Sequence, residues 1–109
     1  MKRTWISEHG ESYAVPACIT SALHDLSWHN DACPCFIRRD DPVLADGAAN
    51  DIPALALWIE HPDPAMRTVS SFARFTAVCN HEHHDVPETL LETDDAEEAV
   101  AFILKQPLP

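Results

Sequence analysis

Ala54-Leu55-Ala56-Leu57-Trp58-Ile59-Glu60 sets Leu55, Leu57 and Ile59 on one side and Ala56, Trp58 and Glu60 on the other. A period of two belongs to a strand, because successive side chains leave a pleated backbone on opposite faces. Val69 to Cys79 reads the same way. There Ala73, Phe75, Ala77 and Cys79 share one face, and Phe72, Arg74, Thr76 and Val78 share the other. Between the two runs stands His61-Pro62-Asp63-Pro64, a turn by composition, since two prolines cannot sustain a central ladder. Two strands across a short connection predict an antiparallel hairpin.

The flanking segments extend this hairpin into a sheet. Cys33 to Arg39 reads as extended, with Phe36 and Ile37 as strand formers, and Asp40-Asp41-Pro42 closes it. Residues 40–53 carry Pro42, Gly47, Asn50 and Pro53 among small residues, a surface loop. Thr89 to Glu92 is a further short strand. Asp94 or Asp95 then caps a helix, with Glu97 or Glu98 at the capping-box position. Ala96, Ala99, Val100, Ile103 and Leu104 form its apolar stripe, and Lys105 and Pro107 end it. Near the amino end, Pro16 followed by Cys18, Ile19, Ala22, Leu23 and Leu26 predicts a helix over 16–26. Strands and helices do not alternate, so a doubly wound parallel sheet is excluded. The expectation is one α+β domain over residues 1–109. Its mostly antiparallel sheet has three to five strands, with an N-terminal and a C-terminal helix packed on one face.

Eighteen carboxylates oppose seven Lys and Arg, a formal charge of −11 on 109 residues. Such a chain repels phosphate and anionic lipid, so direct nucleic-acid and membrane binding are set aside. A hydrophobic content of 46% separates it from a disordered acidic tail. Met1-Lys2-Arg3 turns polar before any apolar stretch begins, and no apolar run approaches the ~20 residues of a membrane span. The expected location is cytoplasmic, with Cys18, Cys33, Cys35 and Cys79 reduced.

Cys79-Asn80-His81-Glu82-His83-His84-Asp85 is the densest group of potential ligands. If the strand continues, Cys79, His81 and His83 project from one face, and Cys33 with Cys35 would complete a closed zinc site. The C-x-C spacing lacks the usual knuckle pattern. A zinc-binding module on these five residues is the alternative reading, and the main reading needs no cofactor. A third class is a small enzyme, either with a cysteine nucleophile at Cys33 or Cys35, His24, His29 or one of the clustered histidines as base and Asp25 or Asp31 behind it, or with an acid/base pair from Glu60, Asp63 and the carboxylates after residue 81. Only Gly10 and Gly47 are present, so no phosphate-cradling loop exists.

The acids are unevenly placed. Six lie between Asp40 and Asp63 and eight between Phe75 and Leu104, and neither tract contains a Lys or Arg. An asymmetric negative surface steers basic partners. The expected role is a non-enzymatic acidic interaction protein, an inhibitor or nucleic-acid mimic bound to a basic protein or a nucleic-acid-binding complex. The contact residues are Asp40, Asp41, Asp46, Asp51, Glu88, Glu92, Asp94, Asp95, Glu97 and Glu98. In size and charge alone, with no shared motif, the chain resembles small acidic inhibitors such as anti-CRISPR proteins. A homodimer that covers a sheet edge is compatible with this reading.

Overall fold

The five-residue alternation that opens the argument is strand β3, Leu55–Ile59, in a computed structural model that describes residues 4–44, 53–80 and 87–107. It pairs antiparallel with β4, Phe75–Cys79, in the register Leu55↔Cys79, Leu57↔Ala77 and Ile59↔Phe75. Three more strands extend the pair: β1 at His24–Asp25, β2 at Cys35–Ile37 and β5 at Glu88–Thr93. The sheet runs β1-β2-β3-β4-β5 with every neighbour antiparallel. Together with the helices this is the α+β architecture the sequence implied, at the upper end of its strand range.

Both sheet faces are buried, by different means. Leu55, Leu57, Ile59, Phe75, Ala77, Cys79 and Phe36 join Val15, Ile19, Leu23, Ala99, Val100 and Ile103 in the larger core. Helices α2, Ala17–Ala22, and α3, Ala96–Lys105, supply its cover and touch each other. On the opposite face Cys35, Ile37, Ala56 and Val78 form a smaller cluster against Leu26, Val43 and Trp58. Among the described residues no α-helix contributes to that cluster. Connecting segments do, and Asp41 makes it possible: its carboxylate, only 3% exposed, accepts the N–H groups of Val43, Ala54 and Leu55.

Three boundaries differ from the sequence expectation. The N-terminal helix stops at Ala22, because Leu23 turns extended at φ −120° and ψ 167° so that His24 and Asp25 can pair with β2. Leu23 is buried and Leu26 partly buried, now serving opposite sheet faces, which is why they mimic a helical stripe. β4 begins at Phe75 instead of Val69, since the preceding residues belong to a loop pinned by Arg67. A short helix α1, Trp5–His9, was not foreseen. Thr4 caps it and Ser7 answers from N3, a capping box with Ser where Glu or Gln is usual. The Asp25 carboxylate accepts the Trp5 N–H at 2.7 Å and ties α1 to the sheet. Among the described residues no helix is long and apolar enough to cross a membrane.

Candidate interaction surface

β5 is the outermost strand, so among the described residues it has a sheet neighbour on one side only. Its register places Glu92 opposite Thr76 and Glu88 opposite Cys79, with a bulge between them at the level of Ala77 and Val78. The bulge inserts Leu90, which packs on the helix-side core beside Leu91. It thereby throws Glu88 and Glu92 to opposite faces of the edge. The strand runs into Asp94 and Asp95 and then into the first turn of α3, with Glu97 and Glu98. All six carboxylate residues of this flank are exposed.

Helix physics accounts for part of the cluster. Asp95 is the N-cap, accepting the N–H groups of Glu97 at 3.0 Å and Glu98 at 3.2 Å. Acids in the first turn lie at the positive end of the helix dipole. The expected reciprocal arm of the capping box is replaced by a relay. Thr93 donates its hydroxyl to Glu98, and the same oxygen accepts the Asp95 N–H at 3.1 Å. Asp94 accepts the Arg74 N–H at 2.9 Å and lies 3.8 Å from the Arg67 guanidinium. Among the described residues the Glu92 and Glu97 carboxylates take part in no ion pair.

The arginines explain why. Each of the four arginines among the described residues donates to at least one backbone carbonyl. Arg39 holds Ser21, Arg74 holds Tyr13 and Ala14, and Arg67 holds His61, Pro62 and Phe72. Arg38 binds the Gln106 carbonyl and grips Asp40 through two nitrogens, at 2.9 and 2.7 Å. These four arginines therefore hold backbone segments together, and of them only Arg67 comes within ion-pair distance of the acidic flank.

The first acidic tract adds little to that surface. Asp40 is exposed but paired with Arg38, and Asp41 is buried and bound by three backbone donors. Glu60 is also buried, and Asp63 caps the short turn Pro64–Met66. Asp46 and Asp51 lie outside the described residues.

Zinc binding has to be withdrawn. Among the described residues no group of three or more His, Cys, Asp or Glu side chains could hold a metal ion. Cys35 packs in the smaller cluster and Cys79 in the larger, so the sheet itself stands between them. Cys33 is buried beside Glu60, and His81 and His83 lie outside the described residues. The electrostatics run the same way, because zinc takes thiolates. Burial first, then Glu60, raises the pKa of the Cys33 thiol far above the usual range. Burial, then Asp31, Asp25 and Asp41, does the same to Cys35. Cys79 is raised by burial and by Glu88.

Those shifts also oppose the cysteine-nucleophile reading, which requires a lowered pKa. Among the described residues no histidine hydrogen-bonds a cysteine. His29 instead sits 3.1 Å from Glu8 and 4.1 Å, centroid to centroid, from the Trp28 ring.

One set of surface residues escaped the sequence reading altogether. Met66, Val69 and Phe72, exposed by 62%, 43% and 42%, stand on the β3–β4 loop. The signal available was the pair of cations, Arg67 and Arg74, bracketing Val69 and Phe72 among hydroxylated residues in a stretch whose carboxyl-terminal part reads as strand.

No family model matches the chain, and no curated protein or solved structure matches it either.

Proposed function

We propose that this protein is a non-enzymatic acidic interaction module whose β5–α3 flank binds a basic protein surface, as an inhibitor or nucleic-acid mimic would. One observation carries the reading. Five exposed carboxylates, Glu92, Asp94, Asp95, Glu97 and Glu98, crowd residues 92–98, and among the described residues Glu92 and Glu97 take part in no ion pair. Negative charge gathered at the end of β5 and in the adjoining helix turn focuses a field there. Such a field raises encounter rates with cationic partners and weakens as salt screens it.

The test uses a lysine-rich peptide as probe, with affinity followed across ionic strength. Binding should fall steeply with salt and should fall further in Glu92→Lys and Glu97→Lys, whose side chains make no structural hydrogen bond. A duplex DNA competitor should displace the protein from the same peptide. Affinity indifferent to both substitutions removes the reading.

A further inference from the structure

The β3–β4 loop combines two properties that rarely coincide. It is held rigidly, and it offers apolar side chains to water. Arg67 donates to the carbonyls of His61 at 2.7 Å, Phe72 at 2.7 Å and Pro62 at 3.3 Å. The Glu60 carboxylate accepts both the N–H and the hydroxyl of Thr68, and Asp63 caps the Pro64–Met66 turn. The segment is therefore shaped before any partner arrives, which lowers the ordering cost of binding. Met66, Val69 and Phe72 nevertheless remain exposed, although folding alone favours burying them.

The loop also adjoins the acidic flank. β4 begins where β5 ends, and Arg67 bridges the two segments: it holds the Phe72 carbonyl and lies 3.8 Å from Asp94. Its own side chain is only 10% exposed, so its charge sits beneath the loop and is not displayed on it. The surface at this end of the sheet is thus apolar at Met66, Val69 and Phe72, and anionic across Asp94, Asp95, Glu97 and Glu98.

We infer that the β3–β4 loop and the β5–α3 turn form one docking surface for a cationic amphipathic protein segment. The apolar side chains of that segment seat against Met66, Val69 and Phe72 while its Lys or Arg residues meet the acids. Charge complementarity selects this occupant. A uniformly basic surface would leave the apolar loop unused, and an anionic lipid surface would be repelled by the acids. Met and aromatic side chains are the types enriched where interfaces carry their binding energy. The inference rests on the acidic-surface reading and adds the apolar anchor and the shape of the partner.

Two synthetic peptides of identical Leu and Lys composition provide the test. One gathers its leucines on a single helical face and the other is scrambled. The amphipathic peptide should bind about tenfold more tightly. The double variant Met66→Ser/Phe72→Ser should abolish that difference without altering the scrambled peptide's affinity, and Glu97→Lys should weaken both peptides. Both substituted apolar side chains are exposed, so the variant should fold; its melting temperature checks this. Equal binding of the two peptides, with Glu97→Lys still weakening both, overturns the docking inference and leaves the acidic-surface reading standing. Indifference of both peptides to Glu97→Lys overturns the acidic-surface reading and the inference with it. Tighter binding to phosphatidylserine vesicles than to either peptide overturns the choice of a protein partner.

Discussion

Glu60 holds Thr68 twice, its carboxylate accepting the Thr68 N–H at 3.1 Å and the Thr68 hydroxyl at 3.2 Å. The acid is 4% exposed and terminates β3, so the loop beyond is fastened to the sheet by one side chain. Glu60→Ala should destabilise the domain by about 1–3 kcal/mol, the usual worth of hydrogen bonds to a charged group. Thr68→Val removes only the hydroxyl and should cost about 1 kcal/mol. Urea unfolding of the two variants checks the order, and equal losses would assign the loop's anchorage elsewhere.

Asp41 should prove more costly. It binds three backbone N–H groups, two of them at the start of β3, and shapes the segment that covers the second sheet face. Asp41→Ala leaves those donors without their acceptor, and a loss of about 2–4 kcal/mol is expected. Asp40→Ala, one residue earlier on the exposed side, should change stability by less than about 1 kcal/mol. Thermal melts of both proteins make the comparison.

The buried thiols predict alkaline sensitivity. Cys33 and Cys35 hold their protons in the folded state well past the ordinary thiol value of 9.0, through burial and neighbouring acids. A thiol that keeps its proton in the folded chain but loses it in the unfolded one favours the unfolded chain once pH exceeds the unfolded pKa. Stability is therefore intact below about pH 8.5 and falls as pH rises beyond it, by up to about 1.4 kcal/mol per pH unit for each thiol. Unfolding measured from pH 8 to 10 should steepen accordingly, and Cys35→Ala should flatten the curve. In the native protein at neutral pH a thiol reagent should modify half-buried Cys18 before Cys33, Cys35 or Cys79.

Ala14 carries a small strain that can be released. Its φ of 47° lies in the left-handed region, and its carbonyl is held by Arg74 at 2.9 Å. Ala14→Gly should raise stability by about 0.5–1 kcal/mol, against the usual cost of glycine. Ala14→Val should lower it. Paired melting curves decide, and a glycine variant less stable than the parent would contradict the strain argument.

The central strands were legible because their side chains alternate between two faces of unlike composition. Leu55, Leu57 and Ile59 announce their face, and Phe75, Ala77 and Cys79 answer it. Asp95 and the Ala99-Val100-Ile103 stripe gave α3 in the same direct way. What periodicity could not show was anything decided by contacts distant in sequence. Leu23 and Leu26 keep a helical spacing, yet pairing of His24 with Ile37 unwinds the helix before them. Asp41 reads as a surface acid in a polar loop, and only the return of Ala54 and Leu55 reveals it as an internal acceptor. Val69 and Phe72 have strand spacing, but Arg67 captures the segment as a loop. The Cys33, Cys35 and Cys79 set failed for a similar reason: spacing along the chain says nothing about which side of the sheet each sulfur occupies.

The two ends of the sheet are unequal, with β1 only two residues long and β5 six. Templated growth, in which one copy extends the ladder of the next, therefore has a single long margin to start from. Two copies meeting there would bring like-charged glutamates from both strands into one ladder, a destabilising arrangement. The same carboxylates that would recruit a cationic partner would thus disfavour ladder growth between copies at this margin.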